Sequence, residues 1–279
     1  MKKEKTKDIV RNNYAKIAQQ GNSCCVPLSS CCGTNDLAHD VSRKIGYTEE
    51  ELKEVPQGSN LGLGCGNPIA LASLKKGETV LDLGSGAGFD CFLAADRVGR
   101  SGKVIGVDMT PEMTEKAKSN ATKSDYLNVE FRTGEIENLP VADNSADAVI
   151  SNCVINLSPE KQRVFYEVFR VLKPGGRMIV SDIVLTRELP DFLKDSADAY
   201  IACISGAVTR DEYLNAVKNA GFQEIEIIDE SSFPVEGWIN DPTIRSIAEN
   251  LKISPEEINE ITDSIVSIKI KGVKTIQTT

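Results

Sequence analysis

The fold of this chain is decided by the stretch Leu81-Asp82-Leu83-Gly84-Ser85-Gly86-Ala87-Gly88. An apolar strand runs here into a glycine-rich turn, and a second strand follows that ends at Asp108. Glycine lets the backbone turn tightly against a ligand, and the next helix directs free N–H groups at it. Asp108 is placed to accept hydrogen bonds from ribose hydroxyls, and Met109 to lie against an adenine. Phe89 stands where the dinucleotide fingerprint requires glycine or alanine, so the stretch predicts a nucleotide cofactor without specifying which one.

Outward from this stretch, the sequence alternates between strand and helix patterns. Strands are predicted over 79–83, 103–107, 129–133, 146–151 and 177–182, with helices over 89–98, 111–124 and 159–171. Further helices are predicted over 6–19, 189–204, 209–220, 240–251 and 254–267, and a strand over 223–228. The alternation indicates crossover connections, and so an α/β fold with a parallel sheet covered by helices on both faces.

Charge and composition narrow the class of partner. The chain has 279 residues and a net charge of -9, with no basic block beyond its first seven residues. A polyanion is repelled by such a surface, so we expect small-molecule partners and no nucleic acid. The longest apolar runs have the length of a strand and the first residues resemble no signal peptide. We therefore expect no membrane association and a cytoplasmic location.

Eight cysteines are the second informative feature. Without a secretion signal they indicate free thiols, a metal or metalloid site, or redox chemistry. Cys65 lies in a glycine-rich segment, Cys153 directly follows the fourth strand, and Cys203 is at a predicted helix end. Should these three converge, their thiolates would suit a soft, thiophilic centre. Cys91, inside the helix after the glycine turn, is interpreted as a buried, inert thiol.

Three regions are predicted. Residues 1–73 form N-terminal helices and a Cys-rich loop, residues 74–230 a Rossmann-like nucleotide-binding domain, and residues 231–279 a small C-terminal cap or tail. Cys24, Cys25, Cys31 and Cys32 lie in the loop, whose composition is rich in turn-forming residues. In the C-terminal region, Phe233 and Trp238 are expected to pack rather than to act on a ligand.

The motifs around the glycine turn resemble those of class I methyltransferases, which use S-adenosylmethionine. The matching segments are Val80 to Gly88, Gly106-Val-Asp-Met, Gly134-Glu-Ile-Glu-Asn-Leu-Pro and Leu172-Lys-Pro-Gly-Gly. The resemblance implies a seven-stranded sheet with a reversed last hairpin and helices on both faces. It also implies a cofactor site that comprises Asp82, Gly84, Ser85, Gly86, Asp108, Met109, Gly134, Glu135, Ile136 and Asn152.

The cysteine segments narrow the resemblance to arsenite methyltransferases. Gly-Cys65-Gly, Asn-Cys153-Val and Cys203 before a Gly-Ala pair match that family's pattern. The resemblance implies methyl transfer to trivalent arsenic held by thiolates, which gives methylated arsenicals and S-adenosylhomocysteine in arsenic detoxification. Cys153 and Cys203 would be direct ligands, and Cys65 a third ligand or a redox partner of Cys32. Cys24-Cys25 remains an alternative to Cys31-Cys32.

The implied chemistry needs a thiol reductant, glutathione or a thioredoxin-like protein, because an oxidised cysteine pair cannot bind arsenic. The substrate would be trivalent arsenic as a thiol adduct. Two alternatives remain. One is a methyltransferase for another small molecule, such as a quinone or a sterol-like compound, which would need an acid or base and a large apolar pocket. The other is a non-catalytic, thiol-based metalloid-binding protein; the cysteine spacing argues against structural zinc.

Overall fold

The computed structural model of the chain describes residues 3–20, 34–194, 196–201, 203–232 and 254–276. The helices are α1 (Lys3–Gln20), α2 (Thr34–Lys44), α3 (Glu49–Glu54), α4 (Pro68–Leu71), α5 (Phe89–Val98), α6 (Pro111–Lys123), α7 (Lys161–Val171), α8 (Asp191–Lys194), α9 (Ala197–Ile201), α10 (Arg210–Asn219) and α11 (Pro255–Asp263). The strands are β1 (Thr79–Leu83), β2 (Lys103–Asp108), β3 (Val129–Thr133), β4 (Ala146–Asn152), β5 (Leu172–Leu185), β6 (Gln223–Ser232) and β7 (Ile265–Val273).

One seven-stranded sheet organises the described residues, in the order β3-β2-β1-β4-β5-β7-β6. Strands β1 to β5 are parallel to one another, whereas β7 runs antiparallel to both β5 and β6. The order reverses at β1, where β2 lies on one side and β4 on the other, and ligands bind open α/β sheets at such points. The predicted class I methyltransferase fold, with its reversed last hairpin, is confirmed.

Apolar side chains cover both faces of the sheet because successive strand residues point to opposite sides. Leu81 and Leu83 pack with α7 and α10 on one face, and Val80 packs with α5 and α6 on the other. These predominantly buried strands explain the apolar runs in the sequence. No helix in the described part of the chain is both long and apolar enough to cross a membrane.

The carboxyl-terminal part differs from the expected helix over 254–267. Helix α11 ends at Asp263, and β7 begins at Ile265. The backbone partners of β7 are β5 and β6, which are both distant from it in sequence. A local sequence pattern therefore does not predict this strand. Residues 265–273, assigned from sequence to a C-terminal cap or tail, therefore lie within the central sheet. The predicted helix over 240–251 is outside the described residues.

A second difference concerns the predicted helix over 189–204. The chain forms two short helices there, α8 and α9. The Ser196 hydroxyl oxygen accepts a hydrogen bond from the Ala199 backbone N–H (3.3 Å), which starts the second helix. This break places Cys203 in a turn directly after α9.

Candidate functional site

The glycine turn after β1 is fixed by backbone hydrogen bonds to β2. Gly84 and Ser85 both donate to the Val107 carbonyl oxygen, at 2.8 and 3.1 Å. The Gly86 N–H donates to Asp108 Oδ2 at 2.9 Å. Gly84 has a φ of +65°, and a Cβ there would lie 2.3 Å from Val154, so the turn accepts only glycine at this position.

A cleft opens above this turn. Eight of the residues predicted to bind the cofactor line it, namely Asp82, Gly84, Ser85, Gly86, Asp108, Met109, Ile136 and Asn152. Gly134 and Glu135 are not among its lining residues. Glu135 instead accepts from Lys7 Nζ of α1 at 2.7 Å, and Gly134 leaves room for Pro140. Glu137, which sequence reasoning missed, is a lining residue.

Helix α1 covers part of this cleft. Its residues Lys7, Val10 and Tyr14 line the cavity. The Lys7 ammonium group lies 2.7 Å from Glu135 Oε2 and 3.4 Å from Glu137 Oε1. No motif in the sequence of α1 indicated this role, because it depends on ion pairs with residues distant in sequence.

Three carboxyl groups lie near the glycine turn, of which Asp82 and Asp90 are buried and Asp108 is partly exposed. Burial raises the pKa of Asp82 well above its usual range, and the neighbouring Asp90 charge raises it further. Burial also raises the pKa of Asp90, to about 6, although hydrogen bonds from Tyr47 and Asn152 oppose the shift. Asp108 keeps two backbone donors, the N–H groups of Gly86 and Thr110. The cleft floor is therefore rich in polar acceptors for a ligand.

Three cysteine thiols meet at the carboxyl ends of β4 and β5. The Sγ atoms of Cys65 and Cys153 lie within 4.8 Å of each other. Cys65 Sγ also donates to the Ser181 carbonyl oxygen at 3.5 Å, and Cys203 Sγ to the Cys153 carbonyl oxygen at 3.4 Å. Cys153 lines the cofactor cleft as well. The structure thus brings together the three thiols that sequence reasoning singled out, beside the predicted cofactor site.

Two of these cysteines adopt an unusual backbone conformation. Cys153 has a φ of 59° and Cys203 a φ of 63°, in the left-handed region that favours glycine. Such a conformation costs on the order of 1–3 kcal/mol for a residue with a side chain, and it is concentrated at functional sites. At Cys153 and Cys203 it accompanies the convergence of the two thiols.

Apolar side chains pack around the thiols. Leu157 and Ile183 belong to the buried cluster that surrounds them. Burial raises the pKa of the Cys65 thiol, although a hydrogen bond from Cys153 lowers it. For Cys153, the hydrogen bond from Cys203 lowers the pKa, but the bond to Cys65 and burial raise it well above its usual value. Because the Cys65 and Cys153 thiols are protonated at neutral pH, a thiophilic ligand must displace their protons on binding.

Asn152 connects the cofactor cleft to the loop that carries Cys65. Its Oδ1 accepts from the Cys65 N–H at 3.0 Å, and its Nδ2 donates to the Gly66 carbonyl oxygen at 2.8 Å. The same Nδ2 lies within hydrogen-bond distance of Tyr47 Oη and Asp90 Oδ2. Asn152 therefore fixes the height of the Cys65 loop above β4, in addition to lining the cleft.

Gly66 allows the Cys65 loop to approach β5 closely. A Cβ on Gly66 would lie 1.9 Å from the Ser181 hydroxyl oxygen. Any larger residue would lift the loop away from the sheet and the Cys65 thiol away from Cys153. The sequence predicted that this glycine-rich loop brings a thiol near a ligand. The loop lies close to β5 because Gly66 has no side chain.

Asp182 was missed by sequence reasoning although it lies among the thiols. One of its carboxylate oxygens and the Sγ atoms of Cys65 and Cys153 lie within 4.8 Å of one another. Burial raises the pKa of Asp182 to about 6. An aspartate inside the apolar strand Met178 to Leu185 is the signal that could have identified it.

Two further cysteine predictions have different outcomes. Cys91 lies apart from the three thiols and donates to Asp82 Oδ2 at 3.1 Å. Burial raises its pKa well above the usual value, which suits an unreactive thiol. Cys32, the predicted redox partner, lies outside the described residues, as do Cys24, Cys25 and Cys31.

The sequence is similar to methyltransferases, and to those of arsenic in particular. Residues 74–221 match a family described as methyltransferase domain. The arsenite methyltransferase of Halobacterium salinarum is 50% identical over 244 residues, which are 84% of this chain and 62% of that protein. The one from Aquipseudomonas alcaligenes is 37% identical over 236 residues, 82% of this chain and 65% of that protein. The chain thus spans less than two thirds of the length of these relatives.

A solved structure extends the similarity to the fold. The crystal structure of an arsenic(III) S-adenosylmethionine methyltransferase from Chlamydomonas reinhardtii superposes with a TM-score of 0.65 and 33% sequence identity. The match covers 86% of this chain and 75% of that one. The similarity to this structure therefore extends beyond residues 74–221, which match the methyltransferase domain.

Proposed function

This chain belongs to the arsenite methyltransferase family, and we propose that it transfers methyl groups from S-adenosylmethionine to trivalent arsenic held by its thiols. One observation carries the proposal. Cys153 lines the cleft above the glycine turn, its Sγ lies within 4.8 Å of the Cys65 Sγ, and its carbonyl oxygen accepts from the Cys203 Sγ at 3.4 Å. A thiophilic atom bound by these cysteines would lie beside the cofactor, which is what methyl transfer between the two requires.

The polar groups of the cleft fit the cofactor. The Ser85 hydroxyl is buried and has no hydrogen-bond partner among the described residues, which leaves it free for a ligand. Asp108 closes β2 and offers its carboxylate to a ribose, and Met109 offers an apolar surface to an adenine. When bound here, S-adenosylmethionine supplies an electrophilic methyl group. Gly134 and Glu135 stay predicted contacts of the cofactor.

The thiols would bind and orient the arsenic. Arsenic ligated by thiolates retains a lone pair, which is the nucleophile, so no general base has to remove a proton from it. If arsenic arrives as a thiol adduct, each cysteine proton passes to the departing thiol, and charge balances. Leu157 and Ile183 keep water from the thiols. The contribution of the chain is therefore orientation and exclusion of water.

Turnover would require two electrons for each methyl group. Methylation takes arsenic from the trivalent to the pentavalent state, because its lone pair forms the new bond to carbon. We propose that Cys65 and Cys32 return the two electrons and form one disulfide. A thiol reductant, glutathione or a thioredoxin-like protein, then restores both thiols. A reducing compartment such as the cytoplasm would favour this cycle.

The proposal is tested by incubating the reduced full chain with arsenite and S-adenosylmethionine that carries a labelled methyl group. We expect labelled methylarsenicals and an equivalent amount of S-adenosylhomocysteine. Cofactor binding is measured in parallel by calorimetry. If the cofactor binds but no labelled arsenical forms, the proposed function is wrong.

A further inference from the structure

The Asp182 carboxylate is a fourth donor at a site where arsenic needs only thiols. It is fully buried on β5, and one of its oxygens lies within 4.8 Å of the Cys65 and Cys153 sulfurs. The proposed arsenic ligands, Cys65, Cys153 and Cys203, already make a three-sulfur set. The carboxylate therefore adds a hard oxygen to a cluster of soft sulfurs, and that mixture has its own preference among metals.

The hydrogen bonds of Asp182 orient this carboxylate and leave it a free lone pair. Its Oδ1 accepts from Asn156 Nδ2 at 2.8 Å and from the Ile183 N–H at 2.9 Å. Its Oδ2 accepts from the Tyr213 hydroxyl at 2.9 Å. An ionised carboxylate has about four acceptor positions, so one position remains for a cation. Fixed partners of this kind are what hold a metal-ligating carboxylate in place.

The spacing of the donors suits a tetrahedral site. Zinc binds sulfur at about 2.3 Å and oxygen at about 2.0–2.2 Å, so its donors lie about 3.5–3.8 Å apart. Donor atoms that already lie within 4.8 Å of one another need to move by only about 1 Å to reach this spacing. Cys203 is outside this group of three donors, but its Sγ donates to the Cys153 carbonyl oxygen at 3.4 Å, so with a larger movement it supplies the fourth corner.

Charge around the cluster also admits a cation. The Lys161 Nζ donates to the carbonyl oxygens of Asn156 and Ser158, and its positive charge acts on Asp182 and Cys203. Three thiolates and a carboxylate carry four negative charges, of which a divalent cation neutralises two. The Lys161 ammonium group offsets a further part, which reduces the cost of burying the complex.

We propose that Cys65, Cys153, Cys203 and Asp182 form a binding site for a thiophilic divalent cation such as Zn²⁺ or Cd²⁺. The cation occupies the position of arsenic, and Asp182 is a ligand of the cation only. Binding releases the thiol protons to the solvent. The cation therefore inhibits by competing with arsenic, and it leaves the affinity for the cofactor unchanged. The competition, but not the binding site itself, rests on the proposed function.

The test uses the reduced full chain in which Cys24, Cys25, Cys31 and Cys32 are each replaced by serine, so that thiols outside the cluster cannot bind metal. Titration with Cd²⁺, followed by thiolate-to-cadmium charge-transfer absorption, should show one equivalent bound. Cys153→Ser should abolish this signal, and Cys91→Ser should leave it intact. Arsenite should prevent Cd²⁺ binding, and this measurement needs no change at Asp182.

Asp182→Asn distinguishes Cd²⁺ binding from arsenite binding, because Asp182 is a ligand of the cation only. The asparagine keeps the shape of the side chain, and its amide can donate to the Tyr213 oxygen. We expect the Cd²⁺ affinity to fall at least about tenfold, and the arsenite affinity to change less than about threefold. Asp211→Asn, at an exposed position of α10, is the matched control. Equal losses for both ligands, or no cadmium bound in the four-serine variant, would overturn the inference.

The outcomes distinguish this inference from the proposed function. Cadmium binding that depends on Asp182, in a chain that forms no methylarsenical, would leave the cation site standing and refute the activity. Methylarsenical formation without cadmium binding would refute the cation site alone.

Discussion

Cys153 is the residue at which the two halves of the site meet. It lines the cofactor cleft, its Sγ lies within 4.8 Å of the Cys65 Sγ, and its carbonyl oxygen accepts from the Cys203 thiol. Its left-handed backbone turns the chain directly after β4. The position of Cys153 at the end of a strand was readable from sequence, because β4 is an apolar run bounded by polar residues. Its contacts with the other two thiols were not, because they depend on loops that meet only in the fold.

Cys153→Ser should lower methyl transfer to arsenic at least about 100-fold, because the substrate loses a ligand that positions it. The affinity for S-adenosylmethionine should change by less than about twofold, which calorimetry measures. Cys91→Ser, which keeps a donor to Asp82, is the matched control and should retain turnover. Turnover of the Cys153 variant at the rate of the unmodified chain would remove this residue from the ligand set.

Tyr47 is a second residue whose role only the structure reveals. Its hydroxyl donates to Asp90 Oδ1 at 2.6 Å and accepts from Asn152 Nδ2. Tyr47→Phe leaves a buried carboxylate with one donor fewer, so the free energy of unfolding should fall by about 1–3 kcal/mol. Urea denaturation measures it. Tyr166→Phe, on the exposed side of α7, should have no such effect, and equal stability of both variants would contradict the assignment.

The strands and helices of the parallel core could be predicted from the sequence, whereas several elements that pack around it could not. The bounds of β1, β3 and α5 agree with the sequence pattern, because a glycine turn, a cap or a polar boundary marks each end. The sequence pattern did not predict β7, because its partners are strands distant in sequence. It did not predict the break between α8 and α9, because a single serine, Ser196, starts the second helix. The same reason applies to α1, whose contacts with the cleft come from ion pairs formed only in the fold.

Helix α1 should contribute to cofactor binding. Lys7 lies between Glu135 and Glu137, and its side chain is only 8% exposed. These ion pairs attach α1 to the wall of the cleft. Lys7→Met would leave Glu137 buried without its cation and loosen the helix. The dissociation constant for S-adenosylmethionine should rise about tenfold, or about 1.4 kcal/mol. Lys5→Met, exposed on the same helix, is the control. Identical cofactor affinity in both variants would exclude this role.

The folded chain as a whole buries ionisable groups at a measurable cost in stability. Asp90 on α5 and Asp182 on β5 are both buried, and burial raises the pKa of each to about 6. The unfolded value is about 3.9, so the native state binds these protons more tightly. Their contribution to stability is complete below about pH 4 and is lost as the pH rises through about 6.

Asp182→Asn removes the pH-dependent contribution of one of these two carboxyl groups to the stability of the chain. Between about pH 4 and pH 7, the free energy of unfolding of the unmodified chain should fall by on the order of 1–3 kcal/mol relative to that of the variant. Urea denaturation across this range measures the difference, with Asp211→Asn as the control. Parallel pH profiles for the unmodified chain and the Asp182 variant would show that Asp182 is ionised as easily in the native state as in the unfolded one.

The three thiols at the cofactor cleft should bind arsenic together. Arsenic X-ray absorption tests this binding most directly, with arsenite bound to the reduced chain in which Cys24, Cys25, Cys31 and Cys32 are replaced by serine. We predict three sulfur neighbours and no oxygen neighbour, and the loss of a sulfur neighbour in the same chain with Cys153→Ser. Arsenic bound through oxygen, or an unchanged sulfur shell in the Cys153 variant, would contradict the account.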